Sequence, residues 1–176
     1  MEVVLIRHTP VDVAPGTCYG QSDVPLKPTF PDEAAVTAAA LKDYAPFDHV
    51  YTSPLSRCTR LADYCGYPDA ERDARMMEIN FGEWEMKRFD DITDERLQQY
   101  YDDFLNTPPT GGESFMEMYT RVKSFLEELR GKSWRRVAVF SHGGVLLCAL
   151  LYTGRAVFSR PFDSLTPHGG VISIEL

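Results

Sequence analysis

The sequence has no pair of cysteines at the C-x-x-C spacing; its four, Cys18, Cys58, Cys65 and Cys148, are scattered along 176 residues. That distribution argues against a secreted disulfide framework and predicts reduced thiols in a cytoplasm. Basic charge is also scarce. Eighteen Lys and Arg stand against 26 Asp and Glu, a net charge of −8, which argues against binding nucleic acid or an anionic membrane through bulk charge. Positive charge, where it is used, must be local. Long apolar runs are missing too. The chain opens with only four apolar residues between Glu2 and Arg7, and VLLCALLY at 145–152 falls far short of the roughly 20 residues that span a bilayer. A soluble protein with no membrane partner is expected. Histidine is the last scarcity: His8, His49, His142 and His168 show no H-x-H or H-E-x-x-H spacing of the kind that marks a metal site.

What the chain does have is the ordinary mixture of a globular protein, 44% hydrophobic and 25% charged, with no repeat or linker to divide residues 1–176 into more than one domain. Short apolar runs at 3–6 (VVLI), 49–52 (HVYT), 136–141 (RVAVFS) and 170–175 (GVISIE) predict strands. Helical patterns fill the gaps. Thr29, Pro31, Asp32 and Glu33 start a helix reaching about Tyr44, with Val36, Ala39, Ala40 and Leu41 on its apolar side. Further helices are predicted over 56–65, ending at Gly66, and over 91–105 and 114–130. The alternation predicts an α/β fold, a three-layer sandwich with a mostly parallel central sheet flanked by helices.

Two histidines close matching strands: His8 ends VVLIRH and His142 ends RRVAVFSH. In open α/β sheets the carboxyl edge of the strands is where ligands bind. Gly143 and Gly144 follow His142 and open a helix whose first N–H groups and positive dipole end favour an anion such as phosphate. Arg7 and Arg57 supply planar guanidinium forks for phosphate oxygens, so fixed cations rather than a metal are expected to neutralise charge. Cysteine-based phosphate chemistry is excluded by spacing. The residues six positions after the cysteines are Val24, Tyr64, Glu71 and Gly154, none of them the Arg that chemistry requires.

The motifs LIRHT at 5–9, YTSPLSRCTRLA at 51–62, MMEINFGEWEM at 76–86 and VAVFSHGGVL at 137–146 together resemble the histidine phosphatase superfamily that includes cofactor-dependent phosphoglycerate mutase. CYGQSDVPL at 18–26 with FGEWEM is similar to its alpha-ribazole phosphatase branch, which acts in the nucleotide-loop part of cobalamin synthesis. The resemblance implies a phosphoglycerate mutase-like fold and hydrolysis of a small-molecule phosphate monoester through phosphohistidine, with neither metal nor organic cofactor. By that resemblance His8 is the nucleophile, kept neutral by the nearby positive groups, His142 donates to the phosphoryl oxygens, and Arg7 and Arg57 hold them. Glu78, in EINFG, matches the general acid, with Glu83 or Glu85 as the fallback.

Tyr19, Gly20 and Gln21 fall where the family's loop approaches phosphate and leaving group; the alternative for them is a turn built around Gly20. Gly143 is placed at the phosphate. Trp84 is either a stacking face for an aromatic base or core packing, and PPTGGES at 108–114 is a helix-capping loop with the flexibility of a lid. Thr9, Pro10 and about Ala14 stand where the wider superfamily has Gly, Glu and a phosphate-contacting Asn. That departure weighs against a mutase and leaves a phosphatase, specific or broad, ahead of a non-catalytic phosphate binder.

Overall fold

The computed structural model describes residues 1–176. Five strands, β1 (Glu2–Arg7), β2 (His49–Thr52), β3 (Glu71–Arg72), β4 (Arg136–Ser141) and β5 (Val171–Glu175), form one sheet in the order β3-β2-β4-β1-β5. All pairings are parallel except β1 with β5. The helices are α1 (Phe30–Leu41), α2 (Ser56–Tyr64), α3 (Arg96–Asp102), α4 (Phe115–Arg130) and α5 (Gly143–Tyr152).

Strand alternation builds the layers. Val3, Leu5, Val137 and Val139 face α4 and α5 in a core of 21 buried residues, while Val4, Ile6, Ala138 and Phe140 face α1 and α2 in a second core of nine. Both faces of β1 and β4 are therefore apolar, as a sheet covered on two sides requires. Helix α5 is buried almost all round, and burial of each Leu or Val side chain stabilises by about 1.5–3 kcal/mol. It is the most deeply held helix, and it begins at the sheet edge that carries the histidines.

Three local readings change. Helix α1 buries Ala34, Thr37 and Leu41, whereas Val36 is 71% exposed and Ala39 and Ala40 also face outward. The Thr37 hydroxyl donates to the Gly169 carbonyl at 3.0 Å, so a polar residue occupies the inner face. Helix α3 is shorter than 91–105: a 3-10 turn occupies Phe89–Asp91, and Asp94, accepting from Trp84 Nε1 at 2.7 Å and from Arg96 N–H at 2.8 Å, holds the chain in a turn before the helix begins at Arg96. Strand β3 has only two exposed residues and no apolar pattern. The start of α4, by contrast, is a capping box, Ser114 accepting from Glu117 N–H and Glu117 accepting from Ser114 N–H. No helix is long and apolar enough to cross a membrane.

Candidate active site

Strand register sets the site. Arg7 pairs with Ser141 across parallel β1 and β4, so the residues that follow, His8 and His142, emerge side by side with ring centroids 5.2 Å apart. His8 Nδ1 lies 2.7 Å from the Thr9 carbonyl. A carbonyl only accepts, so Nδ1 carries the proton and Nε2 keeps its lone pair. Burial holds His8 well below the usual histidine range, and the charge on Arg57 adds to the shift. Desolvation thus outweighs the charge repulsion that the sequence suggested as the reason for a neutral ring.

His142 is fixed from both sides. Arg57 Nε donates to its Nδ1 at 3.2 Å, which leaves the proton on Nε2 to be donated to Ser53 Oγ at 2.8 Å. Burial, then Arg57, also pushes this histidine well down. Arg57 is fully buried; it donates to the carbonyls of Ser22, at 2.9 Å, and Gly20, and stacks its guanidinium 5.5 Å from the Tyr19 ring centre. A buried cation with this framework is a fixed positive charge beneath the pocket.

Arg7 donates to the Thr166 carbonyl at 2.5 Å and to His168 Nε2 at 3.2 Å, yet its Nε–H is buried without a partner. A buried guanidinium donor with no acceptor costs about 1–3 kcal/mol, and an incoming phosphate oxygen would supply one. His168 also sits 5.2 Å from the His8 ring. Desolvation of its ring, followed by the charges of Arg7, Lys27 and Arg57, brings it down to about 4, matching the acceptor role of Nε2.

The two glycines after His142 act through space they leave open. A Cβ on Gly143 would stand 2.9 Å from Arg7 Cζ, and one on Gly144 would overlap the Glu78 carboxylate. Glu78 Oε2 accepts from Gly144 N–H at 3.1 Å and Oε1 from Ile79 N–H at 2.9 Å. One N–H in the first turn of α5, that of Gly144, therefore holds a side-chain carboxylate, while Gly143 makes room for the arginine.

Arg7, His8, Tyr19, Glu78 and Gly143 share the lining of one cavity of about 420 Å³, with Arg57 and His142 outside that lining and fully buried. With Nδ1 facing Arg57 and Nε2 facing Ser53, His142 has no free donor for the phosphoryl oxygens that the family resemblance assigns to it. Glu83 and Glu85 are outside that lining. Glu85 is committed elsewhere: burial alone would raise its carboxyl, but the Gly20 N–H, the Ser22 hydroxyl and the Gln21 and Phe81 N–H groups together bring it below the usual carboxylate range. Gly20 and Gln21 likewise stand outside the lining. Their backbone N–H groups bind Glu85, and Gln21 Nε2 donates to the Glu78 carbonyl at 3.1 Å. They shape the loop behind Tyr19. Trp84 is 1% exposed and packs with Cys18 and Ile92, which settles it as core. The loop at 108–114 is tied down by Glu113 N–H donating to the Asn80 carbonyl at 2.9 Å.

Sequence reasoning missed His168, Thr166, Ser53 and the use of Gly144. The signal for the first was present: TPHGG stands immediately before the last apolar strand, as SHGG stands before α5.

The model of the histidine phosphatase superfamily (branch 1) matches residues 3–175. An adenosylcobalamin/alpha-ribazole phosphatase of Salmonella typhimurium is 32% identical over 155 residues, covering 83% of this chain and 76% of that protein. A "probable phosphoglycerate mutase" of Escherichia coli is 31% identical over 158 residues, covering 84% and 72%. In fold, the crystal structure of the alpha-ribazole phosphatase from Shigella flexneri superposes with a TM-score of 0.90 at 24% identity, over all of this chain and 91% of that one. The phosphatase and the mutase relatives are equally near, and what they have in common with this chain and its paired strand-end histidines is the family: it belongs to the histidine phosphatase superfamily, branch 1, and is an enzyme of that family's phosphatase or mutase kind.

Proposed function

We propose that this chain is a metal-independent phosphomonoesterase that works through phosphohistidine at His8, with alpha-ribazole 5'-phosphate as its substrate. The observation that carries the reading is the 2.7 Å contact of His8 Nδ1 with the Thr9 carbonyl, which leaves the Nε2 lone pair free in a residue that lines the same cavity as Arg7 and its unpartnered Nε–H. Nε2 attacks phosphorus, and the P–N bond forms as the bond to the leaving oxygen breaks. Protonated Glu78 delivers its proton to that oxygen. The resulting carboxylate then takes a proton from water, whose oxygen attacks phosphorus and returns His8 to its neutral form. Arg7 and Arg57 neutralise the charge that develops on the phosphoryl oxygens.

Cavity chemistry favours an aromatic leaving group. Eleven of the 17 lining residues are hydrophobic, among them Phe81, Phe89, Tyr100, Phe104, Phe115 and Phe162. Arg7 is the sole arginine or lysine among them, and it is needed for the phosphate. A phosphoglycerate carboxylate would lack a counter-charge, whereas the flat base of alpha-ribazole has ring faces to meet.

The test compares alpha-ribazole 5'-phosphate with sugar phosphates, phosphoglycerate and p-nitrophenyl phosphate, with the wild type and His8→Ala assayed in chelator and acid-labile phosphoenzyme measured in parallel. A preference of at least tenfold for the ribazole ester is expected, with label and turnover both lost in His8→Ala. Equal rates on all esters would leave a broad-specificity phosphatase, and turnover persisting in the variant would remove the nucleophile assignment.

A further inference from the structure

We propose that Arg121 is a positioning residue for Glu78, holding the acid at the phosphate through the backbone of the segment that carries it; the inference rests on the acid role proposed for Glu78. Residues 77–80 lie outside the sheet and outside any helix, so no ladder of hydrogen bonds fixes them. Arg121, on α4, supplies the missing restraint. Its Nη1 donates to the carbonyls of Arg75 at 2.6 Å and Met77 at 2.7 Å, and Nη2 donates to the Glu78 carbonyl at 3.0 Å. Nε and Nη2 also grip Glu113, at 3.0 Å to Oε2 and 2.6 Å to Oε1. A guanidinium has five N–H groups, and these five contacts give each an acceptor.

Glu113 completes the frame. Its Oε1 accepts from Asn80 N–H at 2.9 Å, while its own N–H donates to the Asn80 carbonyl. The Ser141 hydroxyl, one residue before His142, donates to the Met76 carbonyl at 2.7 Å. The chain on both sides of Glu78 is thus tied to α4 through Arg121, to the loop before α4 through Glu113 and to the end of β4 through Ser141. The Arg121 and Glu113 side chains are 19% and 17% exposed, so this charge pair is shielded rather than a solvated surface contact, and a planar fork is needed to reach three carbonyls and a carboxylate at once. A lysine has the charge without the geometry.

Loss of this frame lets the Glu78 carboxylate drift, and a displacement near 1 Å at a reacting group costs on the order of 100-fold. Arg121→Met, Arg121→Lys and Glu113→Gln are each assayed on an alkyl phosphate and on p-nitrophenyl phosphate, with phosphoenzyme trapped by acid quench. Glu78→Gln is the reference. Arg121→Met is expected to lower turnover of the alkyl ester about 10–100-fold more than its phosphorylation by p-nitrophenyl phosphate. It should also accumulate phosphoenzyme, because the displaced carboxylate no longer activates water. Arg121→Lys should recover only part of the loss.

Equal losses of the phosphorylation rate with both esters, or no build-up of phosphoenzyme, would overturn the positioning role and leave Arg121 a stabiliser of α4. Where Arg121→Met does not fold, Glu113→Gln carries the same comparison, with an expected change in the ester ratio of about 3–10-fold and an unchanged ratio refuting it. An unchanged ratio in Glu78→Gln would instead remove the acid assignment and this inference with it.

Discussion

Gly144→Ala separates what the site needs from what its helix needs. A Cβ at this position overlaps Glu78 Oε1 and would lie 3.2 Å from the carboxylate carbon and 2.9 Å from Met118 Cε. Restoring ordinary van der Waals spacing moves the carboxylate by about 1 Å. The Gly144 N–H contact, 3.1 Å long, is stretched or lost. Both displaced groups are flexible side-chain ends, so the backbone does not need to move. Alanine also favours a helix over glycine by up to about 1 kcal/mol. The melting midpoint should therefore stay within about 2–4 °C of the wild type, while kcat on an ester with a poor leaving group falls about 100-fold. Gly143→Ala is the contrast: its Cβ meets Arg7 Cζ at 2.9 Å and Nε at 3.0 Å, so it should lower kcat/KM on all esters alike. Steady-state kinetics on alkyl and p-nitrophenyl phosphates, beside thermal melts, decide the matter. A folded Gly144→Ala enzyme with wild-type turnover of the alkyl ester would refute the placement of Glu78 as the acid.

Acid should destabilise the fold through its two buried histidines. His8 and His142 have native affinities for protons well below the usual value of 6.5, so as pH falls through 6.5 the unfolded chain takes up protons that the native state refuses. Stability is fully present above that pH and declines below it by up to about 1.4 kcal/mol per pH unit for each histidine; urea midpoints that stay flat from pH 7 to pH 5 would contradict their burial. Trp84→Phe should lose about 1 kcal/mol with the Asp94 hydrogen bond and leave KM unchanged, where a base-stacking tryptophan would raise KM. With Arg7 and Arg57 as the proposed neutralising charges, turnover should survive exhaustive chelation; loss restored by a divalent ion would overturn that proposal.

The histidine pair was legible because it follows from two facts that a sequence displays, an apolar run and the residue that ends it. Parallel pairing of β1 with β4 then needed only the α/β alternation. Glu78 was legible only by family resemblance; its structural distinction from Glu83 and Glu85 lies in which carboxylate reaches Gly144, a through-space relation between chain positions 78 and 144. The inner face of α1 escaped because Thr37 is buried by a hydroxyl bond to Gly169, a partner that composition cannot name. His168 escaped for a related reason. It lies in a loop with no helical or strand period, and antiparallel β5 alone brings that loop to Arg7.

That last strand also makes the site depend on two distant parts of the chain. Both protein acceptors of Arg7, the Thr166 carbonyl and His168, stand 159 and 161 positions further along the chain. Without them the guanidinium loses its protein acceptors, and without β5 the sheet has an open edge at β1. The orientation of Arg7 thus depends on a contact of very high sequence separation, the kind that is slow to close. A chain whose β5 has come away from β1 would leave the proposed phosphate clamp unset, so one edge strand of the sheet governs the readiness of the site.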